Sequence, residues 1–580
     1  MRSLLGWGAR AAAAAITVAA VGAVFAPGCS LVIDGDATQC TKDEDCKDIP
    51  GTTCDVANGV CSGGGGDCTV NADCAAKGQN FICRKTGTKT CVQLTSENCP
   101  SVEGDWQNDD AVIFGFIAPL SGADVGTGET ILNGARLGIQ DVNKIKLPPV
   151  PGSTKSRPIA LVACDDTSDN ATAVKAAHHL VDDVGVQAIL GAAYSGITLD
   201  VASQVTIPSG VLLMSPSATS TLISDYPDSD PKCIAACGAD QACKDKCPGL
   251  IWRTSPSDTF QAAAIAKYFE NGLEDEVRAR IMTPPFTGDI KVAVAYKGDA
   301  YGTGLRDVIE TILKFNNKTA LSQLNTNYKA FDYGNPNDPA SDPLKYDEAV
   351  TGIVAFKPDI VLAFGTNEAI VDSDPPTNAG IYTRVETTWT GGMKPFWIFT
   401  DGGLVHDLTV AAATLNAADR TRVTSPGTDA AVNVNYQKFT SAYQSLFSTD
   451  PNGGPEVFGG AGAYDIVYLL SIAAVSAQDR PLTGAEFARG LARTSMGTGI
   501  NVGQAQLNVA FSTMSTASGS IDFNGASGPL DWDLKRGEAV SDIVIWCLPK
   551  NGMDSIPSGL LYSAANETIS GMLSTNCAGQ

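Results

Sequence analysis

Ala111-Val112-Ile113-Phe114-Gly115-Phe116-Ile117-Ala118-Pro119-Leu120-Ser121-Gly122 opens the part of the chain whose pattern decides the fold. Residues 111–117 form a near-continuous apolar run of strand length, which is the pattern of a strand covered on both faces. Beyond a glycine-bearing loop, Ile131, Leu132, Ala135, Ile139 and Val142 fall at helical spacing and predict a helix over 130–143 with one buried face. The alternation continues with strand 159–163, helix 171–184, strand 186–190, helix 197–205 and strand 211–214. A second set follows, with strand 292–296, helices 304–315 and 347–355, and strands 360–364 and 396–400. A long apolar helix is expected over 461–477, then short strands around Ile521, Leu530 and 543–547. Strands alternating with helices build a parallel sheet covered on both faces, so the fold class is α/β, and two such sets imply two lobes.

The N-terminus sets the address. Met1-Arg2 and Arg10 carry positive charge, and the apolar run over 11–26 is too short for a comfortable membrane span, so the segment reads as a secretory signal. It ends in Phe25-Ala26-Pro27-Gly28-Cys29-Ser30, which resembles the lipobox where bacterial signal peptides are cut and the cysteine acylated. Cys29 would then be a lipid-anchored mature N-terminus, with the protein in the periplasm or at the cell surface. Ordinary cleavage nearby, with Cys29 left to form a disulfide, is the alternative. No later stretch reaches the roughly 18 uninterrupted apolar residues of a membrane helix. A formal net charge of −23 argues against nucleic acid as a partner, because phosphate recognition needs clustered Lys and Arg.

Seventeen cysteines fit an oxidising compartment, and acylation of Cys29 would leave sixteen to pair. Cys40-x5-Cys46-x7-Cys54-x6-Cys61 is echoed by Cys68-x5-Cys74-x8-Cys83-x7-Cys91, with Gly63 to Gly66 as the joint. Each module is too short and too poor in large apolar side chains to bury a core, so disulfides within each are expected. Zinc is disfavoured because paired C-x2-C knuckles are missing. The modules are expected to serve as a stalk or docking surface near the membrane. A further cluster, Cys233-x3-Cys237-x5-Cys243-x3-Cys247, places each pair one turn apart on two short helices, and pairing Cys233 with Cys247 and Cys237 with Cys243 would close that hairpin as a staple. A docking or lid role for the insertion is the alternative.

From Val112 to about Trp546 the chain resembles the branched-chain amino-acid (Leu/Ile/Val) binding proteins of ABC transporters, built on the type I periplasmic-binding fold. The residues that carry the resemblance come in order: Ile113 to Gly122, Asn133-Gly134-Ala135-Arg136-Leu137-Gly138-Ile139, Met214-Ser215-Pro216-Ser217-Ala218-Thr219-Ser220, Trp252-Arg253-Thr254, Tyr301-Gly302-Thr303-Gly304-Leu305, and Gly525 to Asp533. The resemblance implies two doubly wound lobes joined by a three-stranded hinge, with a ligand trapped between them. It divides the chain into a signal peptide (1–28), cysteine-rich modules and linker (29–108), lobe 1 (109–257, with the insertion at 225–249), lobe 2 (258–430), a return to lobe 1 (431–530), and a return to lobe 2 with the C-terminal tail (531–580).

It also implies a site. Ser195, at the start of a helix whose first N–H groups lack partners, matches a position that holds the ligand carboxylate, although an N-cap hydroxyl is the plain alternative. Ser217 and Thr219, Thr219 ahead, match the loop that serves the same carboxylate, where an ordinary polar turn is the alternative. Asp401, before Gly402-Gly403, matches the acid that pairs with the ligand ammonium, and a solvated turn is its alternative. Tyr301 joins the candidates from the motif that opens the second lobe's helix. Thr366 stands where relatives present Tyr, the loop 123–128 lacks a customary aromatic residue, and Ser168 and Tyr194 occupy positions that many relatives join by a disulfide, which frees Tyr194 to face the ligand.

Asp165-Asp166 reads as a solvated loop. With three histidines and no H-E-x-x-H, G-x-S-x-G or G-x-x-x-x-G-K-[ST], no enzyme chemistry, cofactor or metal is expected. The expected function is capture of a small solute, an amino acid, for an ABC permease. The rivals are a sensing receptor that signals to another envelope protein and a structural surface lipoprotein. The anchor is directly testable: Cys29→Ala should release the mature chain into soluble fractions, and unchanged membrane retention would overturn the lipobox reading.

Overall fold

The computed structural model describes residues 68–574 and 577 apart from 85–88, 283–286, 373–378, 428–432 and 449–453, and before them only residues 40, 42 and 45 and the backbone of two short strands. The signal segment, Cys29 and the side chains of the first cysteine module after Asp45 lie outside the described residues. The chain divides into two compact units, 1–66 and 67–580. In the first, Thr53–Asp55 pairs antiparallel with Val60–Ser62, with Cys54 opposite Cys61.

The second unit is built on two eight-stranded sheets. The decisive apolar run forms Val112–Ala118, a central strand parallel to both Ile159–Asp165 and Ala188–Leu190. The sheet extends through Leu212–Ser215, Ile251–Arg253 and Glu538–Ala539 on one side. Side chains alternate across a strand, so Phe114 and Phe116 join one core cluster with Leu132, Ile139 and Val467, while Ile117 joins the other with Val162, Ala173 and Ile197. The Asn133–Ile139 motif explains itself here. A Cβ at Gly134 would lie 2.1 Å from the Gly460 carbonyl oxygen, so glycine lets helices Val125–Ile145 and Gly460–Ser476 cross in close contact. The predicted helix 171–184 is α-helical over Asn170–His178 and π-helical over His179–Val184.

The second sheet runs Tyr328–Asp332, Val292–Tyr296, Ile360–Phe364, Phe396–Phe399 and Thr421–Pro426 in parallel, then adds Ile543–Cys547, Ile556–Ser563 and Thr568–Gly571 in antiparallel. The chain passes between the lobes three times: between Arg253 and Asp258, between Pro426 and Val434, and between Ala539 and Ile543. The third crossing falls after 539 rather than at 530/531. Strands Trp532–Asp533 and Glu538–Ala539 still belong to the first sheet, where Trp532 packs edge-on against Trp252 with ring centroids 5.3 Å apart. Asp166 corrects a second expectation: it is fully buried, donating its N–H to Ala118 O at 3.2 Å and accepting from Ser168 N at 2.8 Å. Burial lifts its carboxyl to about 8.

Disulfides Cys68–Cys83 and Cys74–Cys91 staple the second module, and Cys233–Cys247 and Cys237–Cys243 close the hairpin of helices Pro231–Cys237 and Gln241–Lys244. Two further bonds, Cys99–Cys164 and Cys547–Cys577, join segments distant in sequence. The second module is part of lobe 1 rather than a free stalk. Ile82, Leu94 and Cys99 share a core with Ile117 and Val162, and Ser101–Gly104 forms the edge strand beside Ile159–Asp165. Among the described residues no helix is long and apolar enough to cross a membrane.

One buried ion pair fastens the hinge side of lobe 1. Arg253, 1% exposed, donates from Nε to Glu538 Oε2 at 3.1 Å and from Nη2 to the same oxygen, while Nη1 reaches the carbonyls of Ala218 (3.1 Å) and Ser220 (2.9 Å). Removing one partner strands a buried charge. Glu538→Ala should therefore cost about 3–5 kcal/mol in urea-induced unfolding, and an unchanged midpoint would contradict this role.

Candidate functional site

Every crossover helix returns the chain to the same edge of its sheet, so the loops that follow the strands' carboxyl ends collect there. The two lobes turn these edges toward each other. Between them lies a cleft of about 470 Å³, counting its open mouth. Lobe 1 contributes Thr127, Ala193, Tyr194, Ser195 and Ser217, and the return segment adds Val457 and Phe458. Lobe 2 contributes Lys297 and Asp299 after strand Val292–Tyr296, Tyr301 on helix Ala300–Ile312, Thr366 after Ile360–Phe364, and Asp401, Gly402, Leu404 and Val405 after Phe396–Phe399.

Six of the seven candidate side chains thus line one cavity, and Thr219 does not. Thr219 is 1% exposed and its carbonyl accepts from Asp258 N at 2.8 Å, so it belongs to the wall behind the cleft. Ser195 is not an N-cap: Tyr194 takes that place, and the Ser195 hydroxyl accepts from Ser220 N at 3.1 Å. Ser217 donates its hydroxyl to Ala193 O at 2.8 Å, keeping its oxygen lone pairs. Thr366 is occupied within its own loop, its hydroxyl donating to Glu368 Oε2 and its N–H to Oε1 at 3.0 Å.

Asp401 is 5% exposed, not a solvated turn residue. Its Oδ1 accepts from Gln261 Nε2 and from the Tyr301 hydroxyl, both at 2.6 Å. Both donors are neutral, and among the described residues no ion pair to Asp401 is formed. Burial raises its carboxyl to about 6, the hydrogen bonds from Gln261 and Tyr301 limiting the rise. Gln261 also donates to Asp258 Oδ1 at 2.9 Å. Burial and the nearby Asp401 charge push the Asp258 carboxyl far above the carboxylate range.

Lys297 was not foreseen. It is 1% exposed, with Nζ 3.5 Å from Asp299 Oδ2 and 5.2 Å from the centre of the Tyr194 ring. Burial works against its charge, yet Asp299, Glu368 and Asp124 outweigh that and hold its pKa above the ordinary lysine value. Asp299 is fixed by the helix it caps, with Oδ1 accepting from the N–H groups of Tyr301 and Gly302 at 3.0 Å each. No local motif marks Lys297, because its importance comes from burial between lobes.

The lobes are closed on each other. Asn170 N–H donates to Asn337 O at 3.1 Å, Asn337 Nδ2 to Ser168 O, Asn367 Nδ2 to Ala123 O at 3.0 Å, and the Ser220 hydroxyl to Ala300 O at 2.6 Å. A family model described as periplasmic binding protein matches residues 111–548, which hold most of the strands of both sheets. The chain belongs to the periplasmic binding protein family. Among its curated relatives are Leu/Ile/Val-binding protein homolog 3 of Brucella melitensis and a Leu/Ile/Val-binding protein of Rhizobium johnstonii, each 27% identical over 202 residues, 35% of this chain and 44% of the relative. The match thus spans less than half the length of those relatives. Among solved structures, a leucine-binding protein of Thermotoga maritima shares 19% identity with a TM-score of 0.54, covering 78% of this chain and 99% of that one. A solute-binding protein of Rhodopseudomonas palustris in complex with 3,4-dihydroxybenzoic acid shares 15% with a TM-score of 0.51, covering 77% and 98%. These likenesses establish the type I periplasmic-binding fold of this binding protein.

Proposed function

We propose that this binding protein captures a free amino acid between its lobes and presents it to an ABC permease, held at the membrane by acylated Cys29. The observation that carries the reading is Asp401: a buried carboxylate on the cleft wall with neutral hydrogen-bond donors and no paired cation among the described residues. A buried charge needs a partner, and the α-ammonium of an amino acid supplies one. Ser195 and Ser217, with the first N–H groups of helix Ser195–Val201, offer hydrogen bonds on the opposite wall for the α-carboxylate. Membership of the family and the names of the curated relatives support amino-acid capture for transport.

The test is calorimetric titration of amino acids identified by a melting-temperature screen. Truncating one side of a desolvated charge pair typically costs about 3–5 kcal/mol, so Asp401→Ala should weaken binding on the order of a hundredfold or more. Ser195→Ala removes one hydrogen bond to a charged group and should cost less, about 1.5–3 kcal/mol. Titration at several pH values adds a sign. Because burial in the folded protein raises the Asp401 carboxyl from 3.8 to about 6, the folded form binds the proton more tightly than the unfolded one, and this contribution to stability is lost as pH rises through 6. An ammonium pairs only with the ionised carboxylate, so affinity should hold above about pH 6 and fall by up to about tenfold per unit below it. Parent-like affinity of Asp401→Ala at every pH would remove the ammonium site from the account.

A further inference from the structure

Lys297 bears on which amino acid the cleft accepts, an inference that rests on the amino-acid reading above. Its ammonium has three N–H donors. Of these, the ion pair to Asp299 at 3.5 Å occupies one at most, since charge-assisted hydrogen bonds run nearer 2.7–2.9 Å. Asp299 is itself held in place through its other oxygen, Oδ1, by the N–H groups of Tyr301 and Gly302. The flat face of Tyr194, 5.2 Å away, attracts the charge and accepts no conventional hydrogen bond. An almost fully buried ammonium on the cleft wall therefore faces any ligand that fills the cavity.

An aliphatic ligand side chain would displace water from this ammonium and return no acceptor, leaving its donors unmatched in a desolvated place. A ligand carboxylate would enter a neighbourhood that already holds Asp299 beside Lys297 and Glu368 within electrostatic reach. A neutral acceptor matches both conditions. We infer that Lys297 is a specificity-determining residue, and that the ligand is an α-amino acid whose side chain carries an uncharged acceptor, an amide or a hydroxyl, instead of a branched aliphatic chain.

The experiment titrates glutamine, asparagine, serine, threonine, glutamate, leucine, valine and benzoate into the parent chain and into Lys297→Met at pH 7.5. At least one amide or hydroxyl amino acid should bind the parent at least about tenfold more tightly than leucine or valine, as one hydrogen bond to a charged group implies. Lys297→Met should narrow or reverse that ranking while Asp401 keeps every amino acid above benzoate. Leucine, valine or glutamate as the tightest ligand of the parent, or an unchanged ranking in Lys297→Met, would overturn this inference and leave amino-acid capture standing. Binding of benzoate alone would overturn both, and binding of none of the eight would overturn this inference. If Lys297→Met does not fold, the ranking in the parent alone decides.

Discussion

Two neighbouring parallel strands can be joined only by a crossover that carries the chain back along the outside of the sheet, and the rest of this molecule depends on that constraint. It obliges both faces of each sheet to be covered, hence the unbroken apolar runs at Val112–Ala118 and Ile360–Phe364. It also gathers the exits of five strands of lobe 2 and their counterparts in lobe 1 at one edge each. With three crossings setting these edges face to face, residues as distant in sequence as Thr127, Ser217, Lys297, Asp401 and Phe458 meet around one space.

Closure exacts an electrostatic cost that the sequence distributes unevenly. Backbone dipoles and hydroxyls do the work on the lobe 1 wall, where Ser217 and Ser215 hold the carbonyls of Ala193 and Ala192 in place. Formal charges are concentrated on the lobe 2 wall: Lys297 with Asp299, and Asp401 with its Gln261 and Tyr301 donors. Gln261 sits on helix Asp258–Tyr268, the first element after the chain leaves lobe 1, so the Asp401 carboxylate on the cleft wall is hydrogen-bonded to the first hinge crossing. On the other side of that crossing, Arg253 grips the loop after strand Leu212–Ser215 through the carbonyls of Ala218 and Ser220. Cleft wall and hinge are thereby one hydrogen-bonded body.

The parts legible in the sequence were those where packing imposes a pattern. Val292–Tyr296 and Ile360–Phe364 follow their predicted bounds because strands buried on both faces admit only apolar residues. Thr421–Pro426 escaped notice because Arg422, its second residue, is a buried charge, its guanidinium over the Phe396 ring at 5.3 Å and bonded to the Thr421 carbonyl at 3.0 Å. Helix Asp258–Tyr268 was missed too, since it is buried nearly all round and shows no apolar stripe. At the site, Tyr301 stood in a motif and Asp401 and Ser195 at positions the resemblance matched, whereas Gln261 meets Asp401, and Lys297 the Tyr194 ring, only because the fold brings elements far apart in sequence together. The burial of Asp166 was hidden for the same reason: strand-end aspartates are usually wet, and only the packed surroundings of Ala118 and Ser168 show that this one is not.

The central claim is that an amino acid holds the two lobes together, and one backbone amide reports on it. Asn170 is the first residue of its helix, so its N–H has no acceptor within the helix, and it donates instead across the cleft to Asn337 O at 3.1 Å. Hydrogen exchange at Asn170 should be fast in the ligand-free protein, where opening exposes this amide, and should slow by an order of magnitude or more when a saturating mixture of the twenty amino acids is added. Exchange at Asn170 that is unchanged by the mixture would contradict capture by closure.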